Sequence, residues 1–269
     1  MKTKVTLNEI MRCYAEGRKI VASTAYDYTL TRILDPHVDI ILVGDSLGNV
    51  IQGQETTLSV TLDDVVYHSR PVVRGAQHAL VVADLPFLSY QMGPKEALAS
   101  SGRVVKEAGV AAVKLEGGRD YADTVRFIVR AGIPVMGHLG LTPQFFHRMG
   151  GHRVQGRDAK SAQVIREDAE ALQESGAFAI VLEGIPSSLA AEITETLVIP
   201  TIGIGAGINC SGQILVSYDL LGLTDFAGRK APRMVKEFLD GRSIMGEAIA
   251  EYANDVRESI FPAEEHSFS

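Results

Sequence analysis

Cysteine is scarce in this 269-residue chain, with Cys13 and Cys210 the only two. That is too few for a disulfide framework or a cysteine-rich metal site, so both read as passive thiols. No apolar run approaches the roughly 18 to 20 residues of a membrane span. The start, Met1 to Asn8, has positive charge but no apolar stretch or small-residue cleavage site behind it. These absences predict a cytoplasmic protein with no membrane segment. Long basic blocks are also missing. With 26 Lys and Arg against 33 Asp and Glu, the formal net charge is −7, and the clustered cations that nucleic acid requires are absent. No repeat or linker divides the chain. The sequence therefore predicts one domain over 1–269, with a leading amino-terminal helix and a mobile polar tail after Pro262.

What the sequence does contain is a recurrent design. The run Val38 to Val43 is apolar and ends abruptly in Gly44-Asp45-Ser46-Leu47-Gly48. Ala79 to Asp84, Val110 to Glu116 and Phe178 to Glu183 likewise run apolar and finish acidic. Each reads as a buried strand carrying a carboxylate to its carboxyl end. Further strands are expected at Lys19 to Asp27, Ile133 to His138, Ile199 to Gly203 and Gln213 to Ser217. Helical spacing separates them: Leu7, Ile10, Met11 and Tyr14 in a first helix placed to cover an end of the fold, then Ala162, Ile165, Ala169 and Leu172 further on. Thr61-Leu62-Asp63-Asp64 resembles a capping box, and Pro94 opens another helix. A last helix is expected from Pro232, with Met245, Ile249, Tyr252 and Val256 on one face. Alternating buried strands and helices allow an open doubly wound sheet or a closed α/β barrel, and eight strands in this length favour the (β/α)8 barrel. In a barrel all four carboxylates fall on the face where active sites form.

Convergent carboxylates repel one another and raise each other's pKa unless a cation shares the site. Oxygen ligands without cysteine suit a hard cation such as Mg²⁺, and Asp45, Asp84 and Glu116 are the candidate ligands. Capping or arginine pairing is the structural alternative for each. Lys114 points to the same face as Glu116. It is placed to hold an anionic substrate, to form an internal ion pair, or to form a Schiff base. Glu183, on a strand placed opposite the metal strands, is the candidate general base. His138 reads as a donor behind the ligands or as a satisfied core histidine. Gly203-Ile204-Gly205-Ala206-Gly207 resembles a phosphate loop but lacks the Lys-Ser/Thr of a P-loop, which favours a tight turn. The basic stretch with His147, Arg148, His152, Arg153 and Arg157 is an alternative anion site.

Six motifs in order resemble the ketopantoate hydroxymethyltransferase family: Val43 to Gly48, Thr61 to Asp64, Asp84 to Phe87, Lys114 to Gly118, Gly137 to Gln144 and Thr201 to Gly207. The resemblance runs from about Leu7 to Leu221. It implies a (β/α)8 TIM barrel of the phosphoenolpyruvate/pyruvate type. The implied reaction transfers the one-carbon unit of 5,10-methylenetetrahydrofolate to 3-methyl-2-oxobutanoate, giving 2-dehydropantoate for pantothenate and coenzyme A synthesis. It also implies a homo-oligomer, often a decamer. Residue by residue it implies Asp45, Asp84 and Glu116 as magnesium ligands or supports. Asp45, Ser46, Asp84 and Lys114 are the implied substrate contacts, and Glu183 the proton acceptor. A metal-dependent lyase acting on another 2-oxoacid without folate, and a non-catalytic ligand-binding barrel, are the competing readings.

Overall fold

The apolar runs become strands that are mostly buried on both faces, as parallel strands under covering helices are, with Val21 and Gln213 the exposed exceptions. Their bounds, in a computed structural model that describes residues 3–151, 153–226, 228 and 230–268, are β1 Ile20–Thr24, β2 Ile40–Val43, β3 Leu80–Asp84, β4 Ala112–Lys114, β5 Val135–Gly140, β6 Ala179–Glu183, β7 Thr201–Ile204 and β8 Gly212–Leu215. The helices are α1 Leu7–Ala15, α2 Tyr28–Leu34, α3 Leu47–Val50, α4 Leu62–Gly75, α5 Pro94–Ala108, α6 Ala122–Arg130, α7 Phe146–Met149, α8 Ala159–Glu174, α9 Ser187–Thr196, α10 Ser217–Leu220 and α11 Gly241–Arg257. All eight strands pair in chain order as one closed barrel. The parallel β1–β8 ladder, with Ile20 opposite Gly212 and Ser23 opposite Leu215, rules out the open sheet. No helix among the described residues is long and apolar enough to cross a membrane.

Alternation along the strands sorts the barrel interior by height. Ile20 and Ala22 on β1, Ile40 and Leu42 on β2, Leu80 and Val82 on β3, and Ala179 and Val181 on β6 form one apolar cluster. At the amino-terminal end α1 completes that cluster with the fully buried Ile10 and Cys13. Thr6 caps α1, its hydroxyl accepting from the Glu9 amide at 3.4 Å. The next inward positions on β3, β4, β5 and β6 are Asp84, Lys114, His138 and Glu183. One end of the barrel is therefore sealed with hydrocarbon, and polar chemistry collects at the other. The capping box expected at Thr61 is present in full, with Thr61 and Asp64 each accepting from the other's amide at the start of α4.

The chain divides into two compact units, Met1–Val216 and Ser217–Ser269, and the barrel lies entirely in the first. The last strand ends at Leu215, and the residues that follow make contacts of their own. In the second unit Phe238 N donates to Leu220 O at 2.8 Å and Gly241 N to Leu221 O at 3.0 Å. The Tyr252 and Phe261 rings meet edge to face at 5.7 Å. The helix expected from Pro232 starts only at Gly241, where Asp240 caps it by accepting from Ser243 N. Beyond Pro262 the tail holds a 3-10 turn, Glu264–His266.

Candidate active site

Strand register assembles the polar layer. β3 and β4 pair with Asp84 directly opposite Lys114, and their side chains meet at 2.7 Å with both almost fully buried. Removing one partner of such a pair leaves a buried, uncompensated charge, which costs about 3–5 kcal/mol. The other Asp84 oxygen accepts from the Asp45 amide at 3.0 Å, tying the end of β3 to the turn after β2. Past Lys114 the ladder continues: Leu115 N donates to Met136 O at 3.2 Å and Gly117 N to His138 O at 3.0 Å. That continuation holds Glu116 in the layer although β4 itself has ended.

Asp45, Asp84, Lys114, Glu116 and His138 are all buried. Glu183 keeps 14 % of its side chain exposed, so it is the acid of this layer that a substrate can reach. Its place differs from the sequence expectation. Glu183 is not remote from the other acids: His138 Nε2 lies 3.2 Å from Glu183 Oε2, and His138 Nδ1 lies 3.4 Å from Glu116 Oε1. The imidazole joins them. The Nε2 approach is a charge contact outside hydrogen-bonding geometry, since that nitrogen makes no hydrogen bond. His138 is thus neither a spectator nor a plain core residue.

Burial and neighbouring Lys114 pull the His138 pKa down, but the contacts with Glu116 and Glu183 outweigh them and carry it up to about 9. Burial, then the Asp84 and Glu116 charges, push the Asp45 carboxyl up to about 8, against the pull of Lys114 and the Gln144 hydrogen bond. Asp84 is also raised, by burial acting against Lys114 and the Asp45 amide. For Lys114 burial acts downward, yet Asp84, Glu116 and Asp45 together hold its pKa above the ordinary lysine value. A lysine kept as ammonium is no amine nucleophile, which argues against the Schiff-base alternative. Ser46, the remaining expected substrate contact, is half-buried beside Asp45, its hydroxyl 2.8 Å from the Tyr26 hydroxyl.

Two residues that the sequence did not single out hold this layer. Gln144 donates from Nε2 to Asp45 Oδ2 and to Leu85 O, and from its backbone N to Glu116 Oε2, all at 2.9 Å. The Tyr90 hydroxyl accepts from Glu116 N at 3.2 Å and lies 2.9 Å from Gln144 Oε1 and 3.0 Å from Glu116 O. Gln144 ends the Gly137 to Gln144 motif, so its neighbourhood was marked. Tyr90 carried no signal.

Among the described residues, no group of three or more His, Cys, Asp or Glu side chains is arranged to hold a metal ion. Asp84 is engaged with Lys114 and the Asp45 amide, while Asp45 and Glu116 share Gln144. The three expected ligands thus lie in one layer without forming a chelating cluster. Their chemistry nevertheless fits a hard cation that takes one or two protein carboxylates and completes its octahedron with water and substrate oxygens. The raised Asp45 carboxyl, pressed by two further acids, is the electrostatic demand that such a cation relieves.

The other candidate anion sites separate from this layer. At Gly207 the backbone turns with φ +85°, and a Cβ there would stand 2.5 Å from Ser187 Cβ, so close approach accounts for that glycine. Of the basic stretch, Arg148 lines a cavity of about 640 Å³ together with Gly117, Tyr121, Phe145, Lys160 and Asp168. None of the layer's acids lines it. His152 lies outside the described residues.

An eight-stranded parallel barrel with acids, a lysine and an imidazole at the carboxyl ends of its strands defines an enzyme of the (β/α)8 class. The family model described as ketopantoate hydroxymethyltransferase matches residues 4–264. The chain belongs to that family, and with it to the hydroxymethyl-transferring enzymes. The 3-methyl-2-oxobutanoate hydroxymethyltransferase of Magnetococcus marinus is 54% identical over 269 residues, covering 100% of this chain and 99% of its own. That of Syntrophotalea carbinolica is 52% identical over 270 residues, covering 100% of both. Among solved structures, phosphonopyruvate hydrolase in complex with oxalate and Mg++ superposes with TM-score 0.63 at 11% identity, over 98% of this chain and 92% of that one. A 2,3-dimethylmalate lyase described as a PEP mutase/isocitrate lyase superfamily member gives 0.57 at 16% identity, over 97% and 91%. At such identities these two speak to the fold alone, whereas the full-length relatives weigh against the lyase and binding-barrel readings.

Proposed function

We propose that the chain transfers a hydroxymethyl group from 5,10-methylenetetrahydrofolate to 3-methyl-2-oxobutanoate, forming 2-dehydropantoate for pantothenate and coenzyme A synthesis, in the cytoplasm. Beyond the family relation, the observation that carries the mechanism is Glu183: the reachable acid of the layer, 3.2 Å from the His138 imidazole. A carboxylate so placed takes the proton from the carbon beside the ketone. His138, with its raised pKa, places positive charge beside that carboxylate. Lys114, charged and fixed by Asp84, supplies the positive field for the substrate carboxylate, and Ser46 offers a hydroxyl beside it. Mg²⁺, with Asp45, Asp84 and Glu116 as its ligands or supports, would supply Lewis-acid stabilisation of the charge that develops on the keto oxygen. The deprotonated carbon then bonds to the one-carbon unit and water supplies its hydroxyl oxygen; both carbon–nitrogen bonds to the folate break, and tetrahydrofolate leaves with one proton from water and the one that Glu183 removed.

The reading includes a homo-oligomer, with a decamer as the assembly the family resemblance implies. Support comes from α11, where Met245, Ile249, Tyr252 and Val256 recur at helical spacing and are 53%, 63%, 58% and 45% exposed. A stripe of that kind normally meets another surface.

Glu183→Gln tests the chemical core. In D₂O with Mg²⁺ and no folate, the wild-type enzyme should exchange the C3 proton of 3-methyl-2-oxobutanoate, followed by loss of its proton NMR signal. The variant should lose that exchange by roughly a hundredfold or more, the usual contribution of a positioned base, while still binding substrate. Exchange at the wild-type rate in the variant would remove Glu183 from the role.

A further inference from the structure

We infer that Gln144, oriented by Tyr90, is a positioning residue that sets the Asp45 and Glu116 carboxylates for a divalent cation; the inference rests on the cation-assisted reading above. Gln144 is 2 % exposed and its amide is saturated. Nε2 faces Asp45 Oδ2 and the Leu85 carbonyl, and the carbonyl can only accept. That fixes which end of the amide is nitrogen. Oε1 then faces the Tyr90 hydroxyl at 2.9 Å and Gln91 Nε2 at 3.3 Å. The backbone is equally committed. Gln144 follows Pro143 in a 3-10 turn, Pro143–Phe145, where the first N–H groups have no partner within the turn. Its N–H is therefore available to Glu116 Oε2.

One neutral residue thus gives a donor to each of two carboxylates that arrive from the ends of β2 and β4. Each carboxylate has one oxygen bound to Gln144, which sets the direction of Asp45 Oδ1 and of Glu116 Oε1, the latter 3.4 Å from His138 Nδ1. A charged residue could not do this. A lysine or arginine would neutralise the acids and compete with the cation, and another acid would add repulsion. Tyr90 completes the arrangement through one hydroxyl, which accepts from Glu116 N and lies within hydrogen-bonding reach of Gln144 Oε1. Hydrogen bonds behind metal ligands commonly change metal affinity by 10- to 100-fold when removed.

The test is titration of Mn²⁺ into the metal-free full chain, with free Mn²⁺ read by electron paramagnetic resonance, alongside thermal melts of the same samples. Four proteins are compared: wild type, Gln144→Met, Tyr90→Phe and Ser101→Ala. Ser101 is buried in α5 and its hydroxyl donates to Ala97 O, so its variant reports loss of stability without touching the carboxylates. The expected result is a Kd raised roughly 10- to 100-fold in Gln144→Met, raised by a smaller factor in Tyr90→Phe, and unchanged in Ser101→Ala. A folded Gln144→Met with the wild-type Kd and only a lowered melting temperature overturns the inference, since Gln144 would then be structural. Should Gln144→Met not fold, Tyr90→Phe decides: a raised Kd supports the inference and a wild-type Kd overturns it. Failure of the wild type to bind Mn²⁺ is a different result. It overturns the cation-assisted reading itself and takes the inference with it.

Discussion

Asp45 and His138 differ in charge type, yet both are held protonated by their surroundings. Asp45 is moved from 3.8 to about 8 and His138 from 6.5 to about 9. A group whose pKa is raised on folding binds its proton more tightly in the folded chain. The stability it contributes is complete below the unfolded value and is lost as pH rises through the folded one. For Asp45 that window runs from about 4 to 8, and for His138 from about 6.5 to 9. The melting temperature of the metal-free protein should therefore fall between pH 6.5 and 9. Saturating Mg²⁺ should restore it most at the alkaline end, where no proton competes for Asp45. Thermal melts across that range, with and without cation, measure both effects. A flat or rising metal-free profile would show that these two groups do not titrate as their burial and contacts dictate. At this scale the acids were legible in the sequence, because an apolar run that stops at a carboxylate states its own position. Tyr90 and Gln144 were not, since their roles depend on which strand ends the closed barrel brings beside them.

Among the elements, α1 has the clearest energetic role. Ile10, fully buried, completes the apolar cluster that the strands begin. Ile10→Ala removes most of a buried side chain from a place where the surrounding strands cannot collapse. It should cost about 2–5 kcal/mol, measured as a lowered urea midpoint at unchanged slope, with C3 proton exchange at saturating substrate preserved in the folded fraction. A cost below about 0.5 kcal/mol, the range of ordinary surface changes, would mean that α1 merely rests on the barrel. The sequence revealed this helix through its spacing, and revealed α4 through the Thr61 cap. It misplaced the start of α11 at Pro232. Proline suits a first helical turn, but the start here is set by the Asp240 side chain, which caps the Ser243 amide. At Gly140, φ is +92° and a Cβ would stand 2.2 Å from Glu183 O, so that residue keeps the β5 end close to the candidate base, a constraint visible only after β5 and β6 are paired.

For the whole molecule, the exposed stripe on α11 sets an expectation about assembly. Light scattering coupled to size exclusion should give the wild type a mass several times 29.0 kDa. Ile249→Asp, at the most exposed position of the stripe, should shift the distribution toward smaller species. A monomeric wild type would end the oligomer reading. The fold class itself was legible because eight short apolar runs, six of them ended by an acid or a glycine, alternate with helical spacing. The division at Val216 was not, because no change of composition marks it. Closure between β1 and β8 has one further consequence, for synthesis. Ile20 must wait for Gly212, and at ribosomal speeds of about 5–20 residues per second that wait lasts roughly 10 to 40 seconds. Throughout it, the strand edges and the apolar layer that Ile10 will plug stay open to other nascent chains. The delay makes this barrel a natural client for chaperones that shield unpaired edges until the last strand emerges.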